Sequence, residues 1–284
     1  MTIQWFPGHM TKAKRTITEQ LKLVDMVVEL RDGRIPMSSA NPLLQELIIN
    51  KPRLIVFTKR DMADESVTKK WIEYFEKGGQ TVIFIDSQKD NVKKILLDNC
   101  LKVMDAKIQR DLRRGIQPRA IRAMIVGIPN VGKSTLINRL AKRKVVDVAN
   151  RPGVTQSVKW LTVDKRLDVM DTPGILWPRF DDPKVGMKLA LTSAIKEQIL
   201  PIEQVVSHGL EYLMNHYPRI LSERYGISNK EYDFDSCIQI IGRKFGFIMA
   251  ENEVDKRRTM AAFMADLRQD TLKSISWERP DEYL

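Results

Sequence analysis

The chain has little cysteine, little histidine and no long apolar run. Only Cys100 and Cys237 occur among its 284 residues, so a disulfide framework is excluded. No stretch approaches the roughly 20 apolar residues of a membrane span, and Met1 to Arg15 has no apolar core of signal-peptide length. The expectation is a cytoplasmic protein with no membrane partner. His9, His208 and His216 are the whole supply of imidazole. Internal repeats and low-complexity tracts are absent as well. What is present is ordinary for a globular protein, with 43% hydrophobic and 29% charged residues. The length allows one large or two medium domains.

The net charge of +11 is unevenly placed. Residues 1–179 hold 33 Lys and Arg against 19 Asp and Glu, whereas residues 180–284 hold 14 against 17. The basic groups gather at Lys12, Lys14 and Arg15, from Lys107 to Arg122, and at Lys142, Arg143 and Lys144. Such clusters suit a polyanion larger than a nucleotide, with RNA the first choice; solvated helix faces are the plainer alternative.

Through residue 175 short apolar runs alternate with amphipathic stretches, the pattern of an α/β domain with a largely parallel sheet. Strands are predicted at 26–30, 54–58, 82–85, 123–126, 159–163 and 167–170, and helices at 42–49, 66–77, 92–112 and 133–141. Beyond Trp177 helical periodicity dominates, at 185–196, 202–215, 238–245 and 254–274. In the last of these Val254, Ala261, Met264, Leu267, Thr271 and Ile275 fall on one face, and Lys256, Arg257 and Arg258 begin a polar one. The reading is an α/β domain over 1–178 and a small all-α domain over 179–284, joined near Phe180-Asp181-Asp182-Pro183. The tail 277–284 is expected to be poorly ordered.

Three patches carry chemistry. Gly127-Ile128-Pro129-Asn130-Val131-Gly132-Lys133-Ser134 fits the phosphate-binding loop G-x-x-x-x-G-K-[ST]. Its glycines permit the turn, Lys133 would bridge the terminal phosphates, and the Ser134 hydroxyl would bind Mg²⁺. Val131, Gly132 and Thr135 would complete the nucleotide contacts. Asp171-Thr172-Pro173-Gly174 ends an apolar strand; its carboxylate would reach the metal through water, and the Gly174 N–H would sense the γ-phosphate. Between them Thr155, in Gly153-Val154-Thr155, is a candidate metal and γ-phosphate ligand. Thr58-Lys59-Arg60-Asp61 is the base-reading candidate. The Asp61 carboxylate could accept two parallel hydrogen bonds from guanine N1–H and its exocyclic amine, which adenine cannot offer, while the Lys59 stem lies along the base. A helix N-cap at Asp61 is the bland reading of the same residues. Ser87, in Asp86-Ser87-Gln88, could present backbone groups to the base.

With those residues in hand, the chain resembles circularly permuted GTPases of the ribosome biogenesis GTPase A family, over essentially its whole length from Trp5-Phe6-Pro7-Gly8-His9-Met10 onward. The resemblance implies a Ras-like domain in which the base-reading box precedes the phosphate loop, followed by an all-helical domain that contacts RNA. It also implies a GTP hydrolase acting on the precursor of the large ribosomal subunit, late in its maturation and stimulated by the particle. The family's box begins with Asn, and Thr58 replaces it here. Permutation places Asp171–Gly174 directly upstream of the helical domain, so loss of the γ-phosphate could reorient that domain through a short tether.

The hydrolytic machinery is less complete. Ile175 follows Gly174 where many GTPases carry a water-orienting glutamine. His9, expected on a loop after Pro7-Gly8, is the candidate replacement, with a structural histidine as the alternative. No arginine finger is identifiable. Asn130 matches the phosphate-loop asparagine of potassium-activated GTPases, so a K⁺ ion there could supply the missing charge; the alternative is a simple turn former. Lys12, Lys14, Arg15, Arg113, Arg114, Lys256, Arg257 and Arg258 are the candidate RNA contacts. Two competing functions stand beside this one: an RNA-binding assembly scaffold that holds nucleotide without turning it over, and a P-loop ATPase or kinase, against which Asp61 argues.

Overall fold

The computed structural model describes residues 7–141, 160–172, 174, 176, 180, 182–195, 201–229, 231–269 and 271–283, with side chains from residue 14 onward. The chain forms two compact units, one of residues 1–180 with 278–284 and one of residues 181–277.

The first unit is built on six strands, β1 (Met26–Asp32), β2 (Arg53–Thr58), β3 (Val82–Phe84), β4 (Ile121–Gly127), β5 (Trp160–Asp164) and β6 (Leu167–Asp171). Their order is β3-β2-β1-β4-β6-β5. All neighbours are parallel except β5 against β6. The central strands are apolar runs because both faces are covered, as in parallel sheets generally. Val27, Met124, Val126 and Met170 pack with Ile17 and Leu21 of α1 (Pro7–Leu21) and Leu44 and Ile48 of α2 (Pro42–Ile48). Ile55 and Phe57 pack with Val67, Trp71 and Phe75 of α3 (Glu65–Lys77). The amphipathic α4 (Val92–Arg113) lies against β2 and α5 (Lys133–Ala141).

The strand order reverses between β1 and β4. Ligands of open α/β sheets bind outside the carboxyl ends at such a point. Asp32, Thr58, Gly127 and Asp171 are the last residues of the parallel strands β1, β2, β4 and β6 and so share that edge.

The second unit contains α6 (Pro183–Leu191), α7 (Ile202–His216), α8 (Pro218–Tyr225), α9 (Phe234–Lys244) and α10 (Lys256–Arg268). Its core is apolar, with Leu189, Val206, Leu213, Ile238, Ile241, Phe263 and Met264 fully buried.

Several expectations are corrected. The N-terminal segment is a helix from Pro7 onward, so His9 stands in helical backbone rather than on a loop. Proline suits a first helical turn because its missing N–H would have no intrahelical partner there. The periodicity over 254–274 overruns the true helix, which Asp255 caps by accepting from the Arg258 amide and which stops at Arg268. Its buried face is Thr259, Met260, Phe263, Met264 and Leu267, while Ala261 and Thr271 are exposed. Helix α8 was not anticipated. The tail is ordered: Trp277 is buried, and residues 278–283 belong with the first unit.

Candidate functional site

The phosphate loop runs from the end of β4 into α5. Gly132 has φ 102°, a conformation that side chains with a Cβ avoid, and a Cβ on Gly127 would stand 2.7 Å from the Leu30 carbonyl oxygen. Asn130 also takes the left-handed conformation, with φ 58°, as asparagine does more readily than most residues. The Lys133 ammonium is buried and donates to the carbonyls of Gly127 at 3.1 Å and Ile128 at 2.8 Å. Burial depresses its pKa to about 8, and the negative charge of Asp171 opposes that fall.

Gly174 lies against this loop. A Cβ there would be 2.8 Å from Lys133 Nζ and 3.1 Å from Pro129 Cα. The neighbouring Thr172 hydroxyl donates to the Ile125 carbonyl at 2.6 Å, which ties the start of the D-x-x-G turn to β4. Asp171 itself is buried. The structure therefore brings Asp171, Gly174 and Lys133 together.

Thr58–Asp61, the candidate base-reading box, joins the same loop from the other side. The Thr58 hydroxyl, at the end of β2, donates to the Val131 carbonyl at 2.6 Å and approaches the Arg31 carbonyl at 3.2 Å. A threonine thus makes the strand-to-loop tie despite the departure from asparagine. Lys59 has φ 58°, and its ammonium lies 3.0 Å from Asp32 Oδ2. Asp61 sits in a short 3₁₀ turn, Arg60–Met62, with its side chain exposed. It does not serve as an N-cap: the cap of α3 is Asp64, which accepts from the Ser66 and Val67 amides. Ser87 and Thr135 line one open cleft with Asn138 and Arg139, and Arg139 donates to the Gln88 carbonyl at 3.0 Å.

The structure sets two further residues beside the candidate box, which the sequence reading does not single out. Asp32 and Arg34 are buried and form a bidentate pair, at 3.0 and 2.8 Å. Burial alone would raise the Asp32 carboxyl, but Arg34 and Lys59 outweigh it and hold it well below the usual carboxylate range. In sequence Asp32-Gly33-Arg34 reads as a turn; the signal was its position at the carboxyl end of an apolar run.

Thr155, Ile175 and the Lys142–Lys144 cluster lie outside the described residues, as do the side chains of His9 and Lys12. Lys14 and Arg15 are exposed on α1, Arg15 pairing with Glu19 at 3.1 Å. Arg113 and Arg114 are exposed at the end of α4. In the helical unit Lys256 pairs with Asp235 at 2.6 Å and Arg258 lies over the Phe247 ring, while Arg257 is exposed.

The donor set fits a magnesium nucleotide. Turn amides and a buried ammonium suit a polyphosphate. Ser134 and Asp171 offer oxygen, the ligand type Mg²⁺ takes, and Mg²⁺ is ordinarily completed by phosphate and water. Among the described residues no cluster of three or more His, Cys, Asp or Glu could hold a metal alone. No described helix is long and apolar enough to cross a membrane.

Comparison with known proteins bears on the family and the fold. Residues 122–231 match the family described as 50S ribosome-binding GTPase. The chain is 45% identical to ribosome biogenesis GTPase A of Bacillus cereus over 283 residues, covering 100% of this chain and 96% of the relative. It is 31% identical to that of Thermotoga maritima over 280 residues, 99% of this chain and 95% of the relative. Among solved structures, GDP-bound TM YlqF superposes with a TM-score of 0.68 at 27% identity, covering 94% and 99% of the two chains. YlqF from T. maritima in its GNP-bound form gives 0.66 at 29%, covering 95% and 99%. With the candidate box Thr58–Asp61 ahead of its phosphate loop on a Ras-like sheet, the chain belongs to the ribosome biogenesis GTPase A family and is a circularly permuted P-loop GTP hydrolase.

Proposed function

We propose that this GTPase binds the precursor of the large ribosomal subunit in the cytoplasm and uses GTP hydrolysis, stimulated by that particle, to time its own release late in assembly. The Thr58–Val131 hydrogen bond carries the reading, because it makes the base box and the phosphate loop two walls of one pocket. Guanine is read by Asp61 at one end, with Lys59 along the base and Ser87 nearby. The phosphates meet Asn130 to Thr135 at the other, with Lys133 as the buried cation. Bound Mg²⁺ would supply charge neutralisation at the phosphates and would be held by Ser134, with Asp171 through water and Thr155. The match to a family described as 50S ribosome-binding supports the large subunit as the partner. The basic excess of residues 1–179 supports contact with its RNA through Lys12, Lys14, Arg15, Arg113 and Arg114, with Arg257 from the helical unit. The helical unit, residues 181–277, forms the second contact surface in this reading.

His9 orients the attacking water, and K⁺ at Asn130 supplies the charge of the missing arginine. The test is hydrolysis of GTP and ATP by the full chain, with and without large ribosomal particles, in potassium and in sodium. Low GTP turnover alone and a large stimulation by the particle are expected, with ATP inert. His9→Ala should keep GTP affinity and lose most of the stimulated rate. Equal rates in the two salts discard the ion, and no stimulation leaves a nucleotide-holding scaffold.

A further inference from the structure

Residues 33–41, between β1 and α2, form a loop that is almost entirely buried. A buried loop must find partners for its backbone groups. Two of them are met from the far end of the chain. The Glu278 carboxylate, 0% exposed, accepts from the Met37 amide at 2.7 Å, from the Ser38 amide at 3.0 Å and from the Ser38 hydroxyl. Tyr283 donates its hydroxyl to the same carboxylate at 3.0 Å. The Trp71 indole, fully buried in α3, donates to the Glu278 carbonyl at 3.2 Å, and its ring lies 5.7 Å from that of Tyr283.

The loop held in this way leads directly to the base box. Ser39 Oγ accepts from the Asp32 amide at 3.0 Å, and the Asp32 carboxylate binds Arg34 and Lys59. The Gly33 amide donates to the Thr58 carbonyl at 2.9 Å. Lys59 is a non-glycine residue in the left-handed conformation, φ 58°. That conformation costs about 1–2 kcal/mol and persists only where surrounding contacts fix it; here Asp32 holds the Lys59 ammonium, beside the turn's own Met62–Lys59 and Arg60–Ile85 backbone bonds.

We propose that the carboxyl-terminal segment Glu278–Tyr283 is a latch that positions the guanine-reading box, with Glu278 as its positioning residue acting through the loop 33–41. The proposal rests on the reading of Thr58–Asp61 as the base site. The latch acts on the base end of the pocket, whereas the phosphate loop, although tied to Thr58 through Val131, is held as well by its own turn and by Lys133. Binding of the base and binding of the phosphates therefore respond differently to its loss.

The test uses the full-length protein and three probes: GDP, inosine diphosphate, which lacks the exocyclic amine, and pyrophosphate. Glu278→Gln puts an amide N–H₂ against the loop's own N–H donors and should weaken GDP about tenfold. The preference for GDP over inosine diphosphate should narrow, while pyrophosphate affinity stays within about twofold. Unchanged GDP affinity overturns the latch. So does a parallel loss of all three probes, which marks a merely structural role. Asp61→Asn separates the underlying reading, since an amide there should favour xanthosine diphosphate. If it does not, the base site is misassigned and the latch falls with it; if it does while Glu278→Gln binds GDP normally, only the latch fails. Should Glu278→Gln not fold, hydrogen exchange on the unmodified protein decides. By reciprocity of coupled sites, GDP but not pyrophosphate should slow exchange in 33–40 and 278–283. Equal slowing by both overturns the proposal.

Discussion

The two units bury different things. The helical unit packs Leu, Ile, Val, Met and Phe; its ion pairs Lys256–Asp235 and Arg219–Glu223 are exposed, while Arg224–Asp266 is part-buried and Lys188 is buried. The nucleotide unit takes charge into its interior: Glu29 with Arg31, Asp32 with Arg34, Lys133, Asp171 and Glu278 are all buried. A buried ion pair is a weak source of net stability, because desolvation offsets most of its attraction. Asp32, Lys133 and Asp171 gather at the carboxyl edge of the sheet, where such groups fix geometry. Among the described residues the helical unit holds fewer of them, chiefly Lys188 and the Arg224–Asp266 pair.

The largest expected effect on nucleotide binding lies at the phosphate end. Lys133→Ala should reduce GTP affinity on the order of a hundredfold or more, since charge-assisted hydrogen bonds are worth about 1.5–3 kcal/mol each. Because the change also removes a buried charge, stability should not fall in parallel. Nucleotide titration together with a urea melt checks both, and joint loss would erase the distinction between geometry and stability.

Next comes Asp32→Asn, which strands Arg34 in the interior. The expected destabilisation at pH 7 is about 3–5 kcal/mol, the range for removing one partner of a buried pair. The pH dependence has a definite sign. The Asp32 pKa is depressed in the folded state, so its contribution is complete above the ordinary carboxylate pKa of 3.8 and is lost as pH falls toward the lower folded value. The gap between parent and variant should be constant above about pH 5 and close in acid. Denaturation curves at several pH values would reveal a flat gap if the pairing were unimportant.

The smallest effect sharpens the contrast from the helical side. A Cβ on Gly242 would overlap Val254 Cγ1 and reach 2.9 Å from Thr259 Oγ1. Gly242→Ala should cost about 1–3 kcal/mol by overpacking and leave GDP affinity unchanged. A change in GDP affinity would show that the two units do not divide their labour in this way.

The sheet was legible because parallel strands buried on both faces are continuous apolar runs, and the phosphate loop because its chemistry is local in sequence. Pro7-Gly8 reads as a turn signal although Pro7 opens a helix, and so α1 was missed. The tie from Thr58 to Val131 spans 73 positions, and that from Glu278 to Ser38 spans 240. No periodicity records contacts of that range. Glu278 in particular looks like any glutamate in a short polar tail, and only the fold shows that its carboxylate is enclosed.

The nucleotide unit is assembled from both termini, with residues 181–277 spliced into it. Truncation is therefore the wrong tool for dissecting this protein. A fragment ending at residue 180 would leave the Trp71 indole and the Met37 and Ser38 amides without their acceptors, and its behaviour would misrepresent the intact enzyme. Excising the helices while rejoining the final seven residues through a linker keeps the acceptors, and is the cut that would isolate what the helical unit contributes.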